Sequence, residues 1–177
     1  MIIKKTVDIG QLDFVSRAVS YDEHRYCMNT CCYDREQQSL VATDGRRLHI
    51  WRGAPDMFPE VVPDRQQYAV IVGKDTIEGK ELEGVFPNYR RVIPEDYTLV
   101  RRDISLPKKT KKTANSLAES IANIIFTVPV NCFSLMDCSP FTWDIYTAKE
   151  EPESKPLLLR STIDDEQELI AILVCIR

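Results

Sequence analysis

Residues 40–51 read LVATDGRRLHIW. An apolar run stops at Thr43, Asp44-Gly45 follows, and a second run begins at Arg46. Asp-Gly between two such runs is a strong local hairpin signal, because glycine takes a positive φ at no steric cost. The pattern predicts two antiparallel strands with Thr43 and the Arg46-Arg47 pair at the tip. Upstream, HRYCMNTCCYD (24–34) reads as a further strand, set off by a polar break at 35–38. GQLDFVSRAV (10–19) puts Leu12, Val15, Ala18 and Val19 on one face at helical spacing, and IIKKTVDI (2–9) is β-branched and strand-like. Residues 1–53 therefore read strand, helix and three strands.

Residues 124–177 repeat that order. IIFTVPV (124–130) reads as a strand, and NCFSLMDCS (131–139) as a short helix that Asn131 can cap. FTWDIYTAKEE, KPLLLRSTI and ELIAILVCIR then read as strands, the last two separated by the acidic turn IDDEQE. Between the halves, Pro55, Pro59 and Pro63 make 54–67 a loop, while YAVIVGK (68–74) and YTLVRRDISL (97–106) read as strands. KKTKKTANS (108–116) reads as an exposed basic loop, and SLAESIANI as two helical turns. The expected fold is α+β: two strand-helix-three-strand halves with antiparallel sheets and short helices. They form a single domain over 1–177, joined by an irregular connection at 54–123.

The chain has 177 residues, 44% of them apolar and 28% charged, which suits a globular protein with a real core. A net charge of −4 argues against gripping nucleic acid by bulk electrostatics, but leaves room for a local basic face. MIIKKTVDIG lacks the apolar core of a signal peptide, and no apolar run reaches membrane-spanning length. A cytoplasmic protein is expected, without membrane association and with its six cysteines reduced.

Catalytic chemistry finds little material. Cys27, Cys31 and Cys32 lie near His24, but not at zinc-site spacing. On a strand, Cys31 and Cys32 would point to opposite faces, so core thiols are expected. His49 alternates with Leu48 and Ile50 and is expected on an exposed strand face. Neither histidine sits in a nucleophile setting, and six glycines offer no phosphate-cradling loop. Asp164, Asp165, Glu166 and Glu168 have the composition of a solvated turn. No cofactor or metal is expected, and the chain reads as a binding protein rather than an enzyme.

The segment EGVFPNYRRVIP (83–94) is the second unusual stretch. Pro87 and Pro94 stiffen both ends of an extended run, Phe86 and Tyr89 can anchor it, and Arg90 and Arg91 remain available to acidic partners or phosphate. Taken with ATDGRRL, with RAVSYDEHRYCMN (17–29) and with KPLLLRSTIDDEQELIAILVCIR (155–177), it resembles the bacterial DNA polymerase III β subunit, the sliding clamp. In that family a strand ends in the same Ala-Thr-Asp-Gly turn, a later linker carries the Phe-Pro-Asn-Tyr-Arg-Arg pattern, and the last strand closes in an apolar-Arg pair. A full clamp protomer strings several such domains together, so the chain resembles a reduced clamp.

The resemblance implies a hydrophobic pocket that captures short peptides of replication and repair proteins. The matching positions are Thr43, Gly45, Arg46, Arg47 and Leu48 in the turn, Pro87, Arg91 and Val92 in the linker, and Val174, Cys175, Ile176 and Arg177 at the end. Where the family commonly has Met-Pro-Met-Arg, this chain has Val174-Cys175-Ile176-Arg177, a less adaptable surface. A purely structural role for the ATDG turn stands beside the docking role. Arg101, Arg102, Lys108, Lys109, Lys111 and Lys112 read either as duplex-DNA phosphate contacts or as solvated surface. Closing a ring would require homo-oligomerisation, and a monomer or small oligomer is the expectation. The rival reading is a regulatory or decoy protein with a clamp fold that binds replication proteins without encircling DNA.

Overall fold

The computed structural model describes residues 1–4, 10–61, 63, 65–106, 135, 137–151 and 155–173. These divide into two compact units, residues 1–88 with 162–169, and residues 89–161 with 170–177.

The first unit contains β1 (Ile2–Lys4), α1 (Gly10–Ser16), β2 (Cys31–Asp34), β3 (Ser39–Thr43), β4 (Arg47–Arg52), β5 (Gln67–Val72) and β6 (Thr76–Lys80). Its strands lie side by side in the order β1-β6-β5-β2-β3-β4. Among the described residues every pairing in this unit is antiparallel. In β2, Tyr33 lies opposite Leu40 of β3 and Tyr68 of β5, and Leu40 lies opposite Trp51 of β4. Two-residue alternation adds Cys31, Ala42 and His49 to the same face. Helix α1 packs against β3, β4 and β5, burying Leu12, Phe14 and Val15. The fully buried run of β3, in which no side chain is left to solvent, shows that both faces of the central sheet are covered.

The proline loop after β4 closes over Tyr33 and Tyr68. Tyr33 donates its hydroxyl proton to the Ala54 carbonyl at 2.8 Å, and Phe58 meets Tyr68 edge-on with centroids 6.3 Å apart. Gly79 of β6 gives the Phe58 ring room against the sheet, since a Cβ there would lie 2.5 Å from it. The turn at residues 162–169 also belongs to this unit: Trp51 donates to the Gln167 amide oxygen at 3.0 Å, and Arg52 pairs with Glu168 at 3.3 Å.

The second unit holds β7 (Tyr97–Ser105), β8 (Thr142–Ala148), most of β9 (Leu157–Thr162) and the greater part of β10 (Glu168–Leu173). The order is β10-β9-β8-β7, with β8 antiparallel to both β7 and β9. Trp143 and Ile145 of β8 are buried beside Leu157 and Leu159 of β9. The Trp143 indole donates to the Cys138 carbonyl at 2.8 Å.

The fold is antiparallel strands with few, short helices. Four details depart from the sequence expectations. Residues 24–34 are not one strand: Glu23–Met28 form a 3₁₀ turn, capped by the Asp22 side chain on the His24 N–H at 3.0 Å, and only Cys31–Asp34 are extended. The linker is not extended throughout, because Tyr89–Val92 coil into a second 3₁₀ turn. Thr76–Lys80, read only as connection, is a strand; it is polar and contains glycine, and its place between β1 and β5 makes it one. His49 is not exposed but 0% accessible, stacked on Phe14 with centroids 4.2 Å apart. β4 is buried on both faces, with Leu48 and Ile50 on one and His49 on the other, under α1. Cys31 and Cys32 are both buried. Burial pushes the Cys31 thiol up to about 12 and raises that of Cys32, so both stay protonated at neutral pH. The predicted strand at 124–130, most of the helix at 131–139, and the 108–116 loop lie outside the described residues.

Candidate protein-docking surface

The β3–β4 turn builds itself from its own side chains. The Asp44 carboxylate accepts the N–H groups of Arg46 and Arg47 at 2.8 and 3.0 Å. The Thr43 hydroxyl accepts from the Gly45 N–H at 3.1 Å and donates to the Arg47 carbonyl at 2.7 Å. Gly45 takes φ +84, the left-handed conformation that a Cβ disfavours. This is why the order Thr-Asp-Gly matters: a short acceptor, a turn-closing carboxylate and a residue free of Cβ. Arg47 pairs with Asp44 at 3.2 Å and is largely covered, whereas Arg46 points into solvent. Leu48 is a core residue at 3% exposure. Of the turn positions, Gly45 and Arg46 are the exposed ones.

The linker begins in the first unit. Phe86 is buried and Pro87 is exposed. In the second unit Tyr89 is buried, while Arg90, Arg91 and Val92 are exposed, Val92 at 52%. Arg91 and Val92 open onto a cleft of about 650 Å³ that continues through Pro94 and Tyr97 to Ala148, Glu150 and Pro156. The Tyr97 hydroxyl donates to the Pro156 carbonyl at 2.8 Å. The lining of the cleft is apolar in Val92, Ile93 and Pro156 and carries both charge signs, in Arg91, Lys149 and Lys155 and in Glu95, Asp96 and Glu150. Such a surface suits a mixed-charge peptide better than a polyanion.

Arg101 and Arg102 are exposed on β7, where the pairing with β8 shifts register. Asp103 takes φ +54 at that irregularity, and its N–H donates to the Asp144 carboxylate at 3.1 Å. Thr43, Gly45, Arg46, Arg47 and Leu48 are thus gathered in one hairpin of the first unit. Pro87 lies in the same unit, and Arg91 with Val92 in the second. Val174, Cys175, Ile176 and Arg177, like Lys108, Lys109, Lys111 and Lys112, lie outside the described residues.

Two residues given no role from sequence meet the hairpin tip and the head of the linker. Arg25 of the first 3₁₀ turn donates to the Asp44 carbonyl at 3.0 Å, and Tyr26 packs on Gly84 at the head of the linker. Their signal was the stretch 17–29, which carried the resemblance without a contact to explain it. Among the described residues no group of His, Cys, Asp and Glu is arranged to hold a metal, and no helix is long and apolar enough to cross a membrane.

No model of a protein family matches the chain, and no curated protein matches it. Solved structures do. The Caulobacter crescentus polymerase III β subunit aligns with 100% of this chain at TM-score 0.59 and 17% identity, and the Streptococcus pyogenes β subunit with 100% at 0.58 and 14%. The sliding clamp of Bartonella birtlesii, solved bound to griselimycin, aligns with 99% at TM-score 0.54 and 14% identity. In each case the chain spans 65% of the other's length. Identities this low speak to fold alone, and on fold the outcome is plain: this chain folds as the bacterial DNA polymerase III β sliding clamps do.

Proposed function

We propose that this chain is a sliding-clamp-like binding protein of DNA replication or repair, which captures partners by a short peptide segment and carries out no chemistry. The observation that carries the reading is the clamp fold itself, matched over the whole chain by the polymerase III β subunit of C. crescentus. The docking surface would comprise the hairpin residues Thr43, Gly45, Arg46, Arg47 and Leu48, the linker residues Pro87, Arg91 and Val92, and the last four residues, 174–177. Val92 offers a half-exposed apolar anchor point beside the Arg91 cation, a combination that favours a peptide with an apolar side chain and an acidic neighbour. Arg101 and Arg102, with the lysines at 108, 109, 111 and 112, would make sequence-independent phosphate contacts with duplex DNA.

Titration with a labelled peptide bearing a clamp-binding motif tests the reading. Saturable binding is expected, weakened about tenfold by Arg91→Ala or Val92→Ala, the loss of one useful interface contact. A folded chain that never binds such a peptide would sink it. Light scattering with and without duplex DNA tests the rest. A monomer or small oligomer is expected, with a DNA-dependent mass increase that salt abolishes. No increase at low salt would remove the DNA role and leave the docking role standing.

A further inference from the structure

Residues 20–29 form a closed loop. The Ser20 N–H donates to the Met28 carbonyl at 2.9 Å, and the Asn29 N–H to that of Tyr26 at 3.3 Å. In the orientation that places its nitrogen among acceptors, the Asn29 side-chain amide lies 2.9, 3.1 and 3.1 Å from the carbonyls of Ser20, Asp22 and Arg25, which share its two N–H groups. The loop is therefore held from inside by one side chain, and its outward residues are presented from a fixed frame.

Two consecutive outward residues meet two distant glycines. The Arg25 guanidinium occupies the space a Cβ on Gly45 would take, 2.7 Å away, while donating to the Asp44 carbonyl. The Tyr26 ring occupies the space a Cβ on Gly84 would take, 2.9 Å away. Both glycines have φ +84. Each is therefore a place where the chain both turns and admits a neighbour that no other residue type would allow so close. Tyr26 remains 58% exposed, and about half of the Arg25 side chain is exposed. Contacts this open contribute little to global stability. What they set is position.

We propose that the 20–29 loop is a clasp that ties the β3–β4 hairpin tip to the head of the linker, so that these two parts of the docking surface hold one arrangement and loosen together. Arg25 and Tyr26 are its positioning residues. The consequence for docking rests on the peptide-capture reading above; the coupling itself does not.

Hydrogen exchange on the full chain, read segment by segment, tests the coupling. Arg25→Ala should speed exchange several-fold at 43–47 and also at 84–88, although the Arg25 side chain meets the hairpin and Asp22 while Tyr26 meets Gly84. Tyr26→Ala should do the same from the other side, while Tyr26→Phe, which keeps the ring, should exchange as the parent does. Unfolding midpoints should hardly move. If each alanine variant loosens only the segment it touches, or neither segment, there is no clasp. The labelled peptide is then titrated against the same variants. Several-fold weaker binding to both alanine variants, with Tyr26→Phe unaffected, is the expected result. Equal affinity across all of them overturns the clasp's part in docking. A parent chain that binds no peptide refutes the capture reading instead, and exchange still decides the clasp.

Discussion

The guanidinium of Arg35 meets the carboxylate of Asp56 at 3.0 Å, at the centre of a ring of main-chain carbonyls. Arg35 also donates to Arg65 at 2.6 Å, to Val61 at 2.9 Å and to Pro59 at 3.2 Å, and lies 4.9 Å above the Tyr68 ring. One side chain thus ties the whole proline loop to the sheet. A planar five-donor fork can do this and an ammonium cannot. Arg35→Lys should cost about 2–3 kcal/mol, since several carbonyls lose their donor. For a chain of this size that lowers the melting temperature by roughly 4–12 °C. A lysine variant that melts with the parent would show that the loop is held by its apolar contacts instead.

Asp56 gives that loop a pH dependence. Burial alone would raise its carboxyl, but hydrogen bonds from Tyr68, at 2.6 Å, and from Arg35 outweigh burial and hold it below the ordinary value of 3.8. A carboxylate depressed on folding stabilises the protein above its unfolded-state value, and that contribution is lost as pH falls through the folded one. Asp56→Asn should therefore be less stable than the parent by about 1.5–3 kcal/mol at neutral pH. The gap should close below pH 3.8, in the range where the parent's own carboxyl takes up its proton. Urea titrations at several pH values would reveal it, and a gap independent of pH would refute the assignment.

His49 can be dissected by two substitutions. Its Nδ1 lies 2.8 Å from the Phe14 carbonyl, and because a carbonyl only accepts, Nδ1 carries the proton. The ring also stacks on Phe14 with an interplanar angle of 5°. His49→Phe keeps the stack and loses the hydrogen bond, so about 1–2 kcal/mol should go. His49→Ala loses both and leaves a cavity under α1, at about 3–4 kcal/mol. Equal costs would mean that the stack contributes nothing.

Glycines 45 and 53 offer a comparison in which surroundings decide. Both have positive φ, +84 and +69, so alanine costs about 1–2 kcal/mol at either from backbone conformation. At Gly45 the added Cβ meets the end of Arg25, which can swing aside. At Gly53 it meets the main-chain carbonyl of Glu166, which cannot move without disturbing the turn that holds Trp51 and Arg52. Gly53→Ala should be the more damaging by at least about 1 kcal/mol in thermal unfolding. The reverse order would show that the 162–169 turn yields easily.

Much of the frame was legible locally. ATDG announces a hairpin because the signal lies within four residues, and the structure closes that turn with those residues' own groups. The apolar face of 10–19 announces α1, and Leu12, Val15 and Ala18 are buried, although the helix closes at Ser16 and Val19 is only half-buried. Strands 39–43, 47–52, 97–105 and 142–148 follow from alternation and turn chemistry in the same way.

What only the tertiary structure decided concerns residues whose partners lie far along the chain. Alternation put His49 on one face of β4, but whether that face met water depended on Phe14, 35 residues away. Lys80 and its neighbours became a strand because β1 and β5 offered their edges. The sequence assigned no place to Arg25 or Gly84; folding set Asp44 and Gly45 beneath Arg25, and put the Tyr26 ring where Gly84 lacks a side chain. Local sequence determines which backbone shapes a segment can take at low cost. Which side chain fills the space so created is settled only when distant segments compete for it, and the hairpin tip, the linker head and their clasp are where that competition was resolved.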